Sequence, residues 1–560
     1  MPTDPSLPHV HGQTAHKLKG KKLLYSVSVF LSIGVWLFGY DQGVMSGVIT
    51  GPYFKAYFNQ PTSTEIGNMV AVLEIGAFIT SLLAAPLADN YGRRITLRAG
   101  AFVFTIGGAI QTFCTSYSTM IVGRITSGFG VGMLSMVVPI YQSEISPADH
   151  RGLLGSVEFT GNVVGYASSV WIDYASSYIQ SDWSWRLPLS VQCIGGAILA
   201  IGSFVTPESP RYLIDTDQEV EGLAVIADFQ GNALDDERVV AEYKEIRDAV
   251  LADRAVGDRS YGALWRRYKG RVLIAMSSQM FAQLVTSVKL DCPLPEADDS
   301  EAGWIGRDAI LMTGINSLFY VLSTLLPWFL MDRAGRRPIL LTGALAMAVA
   351  LTATGWWIYI DQAITPNAVV VCVIIYNAVL YPPEIMPLAF RAKGVSLSTA
   401  TNWLFNYWVG VTTPLFQELI GWRLYPMHAF FCAVSFVLVY FLYPETRGVP
   451  LEEMDKLFGD EIVEDEDDGE DGSDDDRIDD LNDDNSLGSE SSSLVGSRRS
   501  RTLNSSLPTS RKPSPLPYHR GDVEPSSGLF SRLSNAMGGL LGGPRRRSPR
   551  GNYNPLNGEQ

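Results

Sequence analysis

Residues 123–152 read GRITSGFGVGMLSMVVPIYQSEISPADHRG. Arg124 is followed by about twenty uncharged residues, and the next charges are Glu144, Asp149 and Arg151 in a Pro-containing segment. About twenty apolar residues cross a ~30 Å hydrocarbon core as a helix. The stretch therefore reads as a membrane helix with Arg124 in or at the edge of the bilayer and the later charges in water. A charge at membrane depth costs roughly 2.5–3.5 kcal/mol on insertion scales, so it tends to be paired and to serve a purpose. The other reading is a packing helix whose arginine snorkels to the interface. Gly128, Gly130 and Gly132 leave a bare side that another helix can approach closely.

On either side of this stretch the same apolar length recurs. Candidate spans cover 23–48, 66–88, 95–114, 120–142, 153–175, 186–206, 271–288, 308–331, 338–360, 366–381, 395–420 and 426–443. Only 18% of the 560 residues are charged and 46% are hydrophobic. The net charge of −15 is a property of the tail, because residues 460–484 alone hold sixteen acids and one arginine. Basic residues gather before the first and seventh spans (Lys17, Lys19, Lys21, Lys22; Arg266, Arg267, Lys269, Arg271) and after the second and eighth (Arg93, Arg94, Arg98; Arg333, Arg336, Arg337). If every span crosses, all of these lie on one face, and the bias of basic loops to the cytoplasm puts both termini there. The first sixteen residues are polar and the first apolar run is too long for the core of a cleavable signal.

Three motifs occur twice, in the same order. DNYGRR (89–94) returns as DRAGRR (332–337), EISPADHRG from Glu144 as EIMPLAFRAKG from Glu384, and PESPR from Pro207 as PETRG from Pro444, at offsets of 243, 240 and 237 residues. A near-constant offset implies a duplicated chain: an all-α membrane protein of twelve transmembrane helices in two pseudo-symmetric six-helix halves. The resulting division is a cytoplasmic segment 1–22, an N-terminal half 23–206, a cytoplasmic helical linker 207–270, a C-terminal half 271–443 and a cytoplasmic tail 444–560. In the linker, Val239, Val240, Tyr243, Ile246, Val250 and Leu251 form an apolar stripe that predicts a helix pair packed beneath the bundle. From about residue 460 the tail is acidic and then Ser/Arg/Pro-rich, without apolar periodicity, which predicts disorder. Its serines among arginines suit kinases or trafficking factors as partners.

The repeated motifs have a mechanical reading. Gly92 and Gly335 permit tight turns, and Arg93, Arg94, Arg336 and Arg337 follow them where headgroups and helix ends offer anionic partners. Glu144 with Arg151, and Glu384 with Arg391, bracket helix ends on the same membrane face; Asp332, Glu208, Arg211 and Glu445 complete the repeated set. Such loops either fix topology by charge alone or lock the halves in one state and release them in another.

Taken together, FGYDQGV (38–44), DNYGRR, GRITSGFGVG, PIYQSEISPADHRG, PESPRYL (207–213), DRAGRRP, YPPEIMPLAFRAKG and PETRG resemble the sugar porter family of the major facilitator superfamily, in particular fungal sugar and polyol transporters. The resemblance implies halves that rock about a central sugar site. Asp41 stands near the middle of the first span, where a carboxylate needs a cationic partner or a proton. Arg124 is the candidate partner. In the proton-coupled members that this chain resembles, an acid at this position binds the transported proton and the matching arginine modulates it; the alternative is that Asp41 caps a helix break near Gly39 or Gly43. For the sugar, amides read hydroxyls and an indole covers the apolar ring face. Gln279 and Gln283 share a face of span seven, and Asn402, Trp403 and Asn406 offer the same chemistry in span eleven. These match the family's glutamines and Asn-Trp, with Asn316 in span eight a looser match; each amide could equally be an interhelical hydrogen bond.

Two segments depart from the family. VTSVKLDCPLPEADDSEAGW (285–304) cannot continue a membrane helix, so span seven should stop near Val288, before a loop. Asn377 to Leu380 run straight into Tyr381, so that residues 338–380 must make spans nine and ten with about three positions left for the turn and the tenth is short or tilted; the family's tryptophan before the PPE motif is missing, and Phe159 stands where many members place a glutamine. Helices seven and ten are thus shortened or altered, through a repurposed site or a faulty gene model. The function implied is alternating-access transport of a monosaccharide or polyol, coupled to protons, in the plasma membrane. The alternatives are a non-transporting sugar sensor that signals through its tail, or an inactive product. Enzyme chemistry, a cofactor, a metal and nucleic acid have no support: five cysteines are scattered singly, and the six histidines form no ligand cluster beyond the three near the N-terminus.

Overall fold

The computed structural model describes residues 18–146, 151–255, 257, 260–286, 307–325, 335–360 and 391–445. Within them the chain forms α1 (Lys21–Val48), α2 (Pro52–Tyr57), α3 (Ser63–Tyr91), α4 (Arg93–Thr112), α5 (Tyr117–Ile145), α6 (Arg151–Ser176) and α7 (Trp183–Gly202). Three helices follow between the halves, α8 (Pro210–Asp215), α9 (Glu219–Gln230) and α10 (Glu237–Ala255). The second half supplies α11 (Tyr261–Thr286), α12 (Arg307–Ser323), α13 (Arg336–Ile360), α14 (Arg391–Ile420) and α15 (Leu424–Leu442). Eleven of the twelve expected spans fall on these helices; the tenth, at 366–381, lies outside the described residues, as do the expected loop at 289–304 and the tail from 446.

Six of the described helices are long and apolar enough to cross a membrane by length and composition, and α12 adds a shorter apolar stretch, Ile310–Ser323. Exposed apolar side chains such as Phe102, Ile194, Ile198, Val349, Phe430 and Val437 face outward, as lipid contact requires. Helices α4, α6 and α14, of 20, 26 and 30 residues, are also of spanning length, and α11 is bent at Tyr268 (φ −124°, ψ 30°), so that the stretch 269–286 after the bend is the part left to cross.

Small residues set the packing of the first half. A Cβ on Gly128 would stand 2.1 Å from the Leu73 carbonyl oxygen of α3, and one on Gly130 would stand 2.5 Å from the Phe104 nitrogen of α4. The three spaced glycines therefore seat α5 against two helices, one on each side, because residues 128 and 130 lie about 200° apart around the axis. Gly39, Gly43 and Gly47 make a one-turn-spaced stripe on α1 against which α6 lies just as closely. Helix α1 runs unbroken from Lys21 to Val48, so Asp41 sits inside a continuous helix and the helix-break alternative does not hold.

The packing of the first half recurs in the second. The α1–α6, α4–α7 and α1–α7 contacts reappear as α11–α14, α13–α15 and α11–α15, while the halves meet through α3–α14, α6–α12 and α5–α14. The linker departs from the expected pair, since three helices share one cluster of Ile214, Leu223, Ile226, Ala227, Val239, Tyr243 and Val250. Residues 239, 243 and 250 repeat at helical spacing and are buried; Leu251, one position round, is 48% exposed. The Gly20 amide donates to the Asp228 carbonyl at 2.7 Å, tying the start of α1 to the end of α9.

Candidate functional site

Asp41 and Arg124 come together from α1 and α5, at 1% and 2% side-chain exposure. Arg124 Nη1 donates to both Asp41 oxygens at 3.1 Å. Its Nε donates to the Met69 carbonyl at 3.1 Å and its Nη2 to the Val70 carbonyl at 2.9 Å, both on α3. One guanidinium thus joins three helices of the first half. Its charge is met by a carboxylate and two helix carbonyls, through the fixed fork of donors that lysine lacks. Such a pair is weak evidence of stability, but losing one partner leaves a charge stranded in a medium that solvates it badly.

In the second half one pair of the expected amides meets. Gln283 Nε2 on α11 donates to Asn402 Oδ1 on α14 at 2.6 Å. Gln279 is half-buried one turn before Gln283, and Asn316 is half-buried on α12. Trp403 is 0% exposed. Its Nε1 donates to Ser135 Oγ at 3.2 Å and its ring meets Phe38 edge-on at 5.0 Å, both in the first half. In this conformation the indole is therefore spent on the seam between the halves.

The seam also holds a residue that the sequence motifs do not single out. Glu74 of α3 is 6% exposed, and its Oε1 accepts from Asn406 Nδ2 of α14 at 3.0 Å. A lone acid inside span 66–88 is the signal that could have found it, of the same kind that marks Asp41. Nearer the linker end, Ser396 donates to the Ser81 carbonyl at 2.6 Å, Tyr261 donates to the Leu82 carbonyl at 2.7 Å, and Lys393 pairs with Asp89 at 3.0 Å. These contacts tie α11 and α14 to α3.

The repeated motifs build two matching turns. Gly92 has φ +93°, and a Cβ there would lie 2.6 Å from Glu208 Oε2; Gly335 has φ +89°, with Glu445 Oε2 at 2.7 Å. Glu208 accepts from the backbone amides of Arg93 at 3.0 Å and Arg94 at 3.1 Å, and Glu445 accepts from that of Arg337 at 3.0 Å. Each glutamate is therefore a cap for orphan N–H groups at the start of a helix. Burial pushes the Glu208 carboxyl above the ordinary carboxylate value, against the opposing pull of the Ser209, Arg94 and Arg93 amides.

The arginine side chains find other partners. Arg93 pairs with Glu144 at 2.9 Å and stands 3.7 Å from Asp89, with its guanidinium over the Tyr212 ring. Arg211 pairs with Asp253 of the linker, and Arg337 donates to the Tyr440 carbonyl. Glu144 thus engages the GRR turn; the side chain of Arg151, its expected companion, lies outside the described residues, together with those of Arg336 and Arg391. Asp332 and Glu384 lie outside them altogether. Among the described residues no group of three or more His, Cys, Asp or Glu could hold a metal ion.

Comparison with known proteins gives a consistent picture. Residues 27–458 match a family model described as "Sugar (and other) transporter". The chain is 30% identical to the sugar transporter STL1 of Saccharomyces cerevisiae, over 80% of its own length and 83% of the relative's. It is 26% identical to the high glucose sensor RGT2 of the same yeast, over 79% of its length and 61% of the relative's. Among solved structures, the proton:xylose symporter XylE bound to 6-bromo-6-deoxy-D-glucose aligns with a TM-score of 0.67 at 24% identity, over 78% of this chain and 99% of that one. At that identity the likeness speaks to the fold.

Proposed function

Because the chain belongs to the sugar transporter family of the major facilitator superfamily, an integral membrane fold of twelve helices in two halves, we propose that it carries a monosaccharide or polyol by alternating access together with a proton. The observation that carries the proton half of the reading is the buried Asp41–Arg124 pair. Asp41 takes up a proton from the side to which the halves are open, its hold on Arg124 loosens, and the guanidinium keeps the Met69 and Val70 carbonyls of α3. Protonation thereby changes how α1 is tied to α5 and α3, three elements that move with the first half. Gln279, Gln283, Asn316, Asn402 and Trp403 are the residues we assign to the sugar, with the Gln283–Asn402 bond opening to receive hydroxyl groups. The GRR turns, with Glu208 and Glu445, hold the linker end of each half rigid while the seam contacts form and break.

We place the protein in the plasma membrane with both termini cytoplasmic, on the distribution of its basic loop residues. The test is uptake of radiolabelled hexose, pentose and polyol in a host stripped of its own transporters, with and without a proton uncoupler. Asp41→Asn is expected to abolish concentrative uptake while the protein still reaches the surface; uphill accumulation that survives both the uncoupler and this substitution would refute symport. A second reading, a sensor that binds sugar and signals through the tail, is favoured by the similarity to a glucose sensor and by the long acidic and Ser/Arg-rich segment after residue 460. Surface delivery with no uptake of any probe, together with a sugar-dependent transcriptional response, is the outcome that would select it.

A further inference from the structure

Glu74 lies between the two parts of the proposed mechanism. On α3 it is one helical turn beyond Val70, whose carbonyl accepts Arg124 Nη2 at 2.9 Å. Across the seam its carboxylate accepts from Asn406, and Asn406 is one turn beyond Asn402, the partner of Gln283. Positions four apart stack on one face of a helix, about 6 Å along its axis. The order in space is therefore Asp41, Arg124, the 69–70 turn of α3, Glu74, Asn406, and the amide pair of the second half.

We infer that Glu74 is the second carboxylate of the coupling machinery, forming with Asp41 and Arg124 a buried triad whose charge state the Asn406 contact passes to the other half. This role rests on the proposed symport and follows from charge balance. With both carboxylates ionised the triad carries one excess negative charge in a poorly solvating interior, and one proton on Asp41 makes it neutral, Arg124 then being balanced by Glu74. The proton comes from water on the open side, bonds to a carboxylate oxygen, and leaves to water on the other side. Nothing else is made or broken.

The other charges of α3 and of the helices packed on it stand towards helix ends. On α3 itself Glu65 is in the first turn and Asp89 in the last. Helix α5 contributes Arg124, with Asp41 behind it on α1, and Glu144 at the linker end; α4 contributes Arg93, Arg94 and Arg98 at the linker end. On α14, Lys393 stands at the start of the helix. The antiparallel pairing along the seam, Asp89 with Lys393, Ser81 with Ser396 and Glu74 with Asn406, places the Glu74 contact mid-membrane, where the halves must separate for the site to open.

Full-length protein in proteoliposomes tests this with radiolabelled D-glucose, D-xylose and glycerol, measuring exchange against preloaded probe, uptake driven by a pH gradient, and proton influx. Glu74→Gln keeps the shape and a hydrogen-bonding group but removes one carboxylate from the triad. Its ratio of gradient-driven uptake to exchange is expected to fall about tenfold or more, with proton influx per probe molecule falling in step. A wild-type ratio and wild-type proton influx in Glu74→Gln overturn the inference. If that variant fails to reach the membrane, Glu74→Asp and Asn406→Ala are read instead. Each should move the midpoint of the uptake pH profile by about half a unit or more, and unmoved midpoints in both overturn it. Absence of exchange of every probe by the wild type overturns the transport reading itself; exchange by the wild type with an unaltered Glu74→Gln overturns only the role of Glu74.

Discussion

Arg124 makes four hydrogen bonds from a site 2% exposed, and its value depends on Asp41 being present. Truncating one member of a buried pair costs about 3–5 kcal/mol, whereas replacing both with neutral residues of similar size costs far less. Arg124→Met is therefore expected to lower the melting temperature of the detergent-purified protein sharply, and Asp41→Asn added to it should recover most of the loss. Equal melting temperatures for the single and double variants would contradict the pairing. Glu208 is a different kind of carboxylate, because it caps backbone amides and its pKa is raised by burial. The folded state then holds the proton more tightly than the unfolded chain. The group's contribution is fully present below the unfolded pKa and is lost as pH rises through the higher folded value. Relative to Glu208→Gln, which keeps an acceptor and has no charge, the wild type should gain stability on acidification from pH 7 to about pH 5. A thermal-shift series across that range checks it, and a wild type that loses stability relative to Glu208→Gln would show the opposite linkage.

The two GRR turns are built alike as elements. Each combines a glycine in the left-handed region with a carboxylate delivered from about 110 residues away, capping the helix that follows. Alanine at Gly92 or Gly335 incurs both the left-handed strain, about 1 kcal/mol, and a collision with its cap. Gly257, with φ +76° and nothing within 4 Å of where a Cβ would stand, is the natural control for strain alone. Gly92→Ala and Gly335→Ala should each destabilise the protein by about 1–2 kcal/mol more than Gly257→Ala, read as melting temperature. The glycines are legible in the sequence because a tight turn has a local signature. The caps are not, since an acid in PESPR or PETRG carries no local sign of which helix end it will meet. Charge alone suggests that these acids pair with arginines; the structure satisfies backbone amides first and leaves Arg93 to Glu144 and Arg211 to Asp253.

At the scale of the whole molecule, α3 and α14 form a main described seam between the halves. Lys393, Ser396, Trp403 and Asn406 all face partners in the first half, and Tyr261 reaches the same seam from the start of α11. Transport by rocking halves requires these contacts to break at the linker end once per cycle. A disulfide between cysteines placed at Ser81 and Ser396 is therefore expected to stop uptake, with recovery on reduction. Uptake that continues with the cross-link fully formed would mean that the two halves need not separate there.

The sequence alone determined the span count, the duplication, the turns, and Asp41 and Arg124 as the charges to watch. These follow from hydropathy over about twenty residues, from repeats at a fixed offset and from the cost of charge in lipid, all of which can be read along the chain. The tertiary structure decided who meets whom: Trp403 packed on Phe38, Glu74 held by Asn406, Glu208 and Glu445 on helix ends, Leu251 left outside the linker cluster. Those partners lie up to several hundred residues apart, and their choice depends on how closely helices approach at small residues and on which backbone groups are left without a bond. Neither quantity exists until the helices are packed.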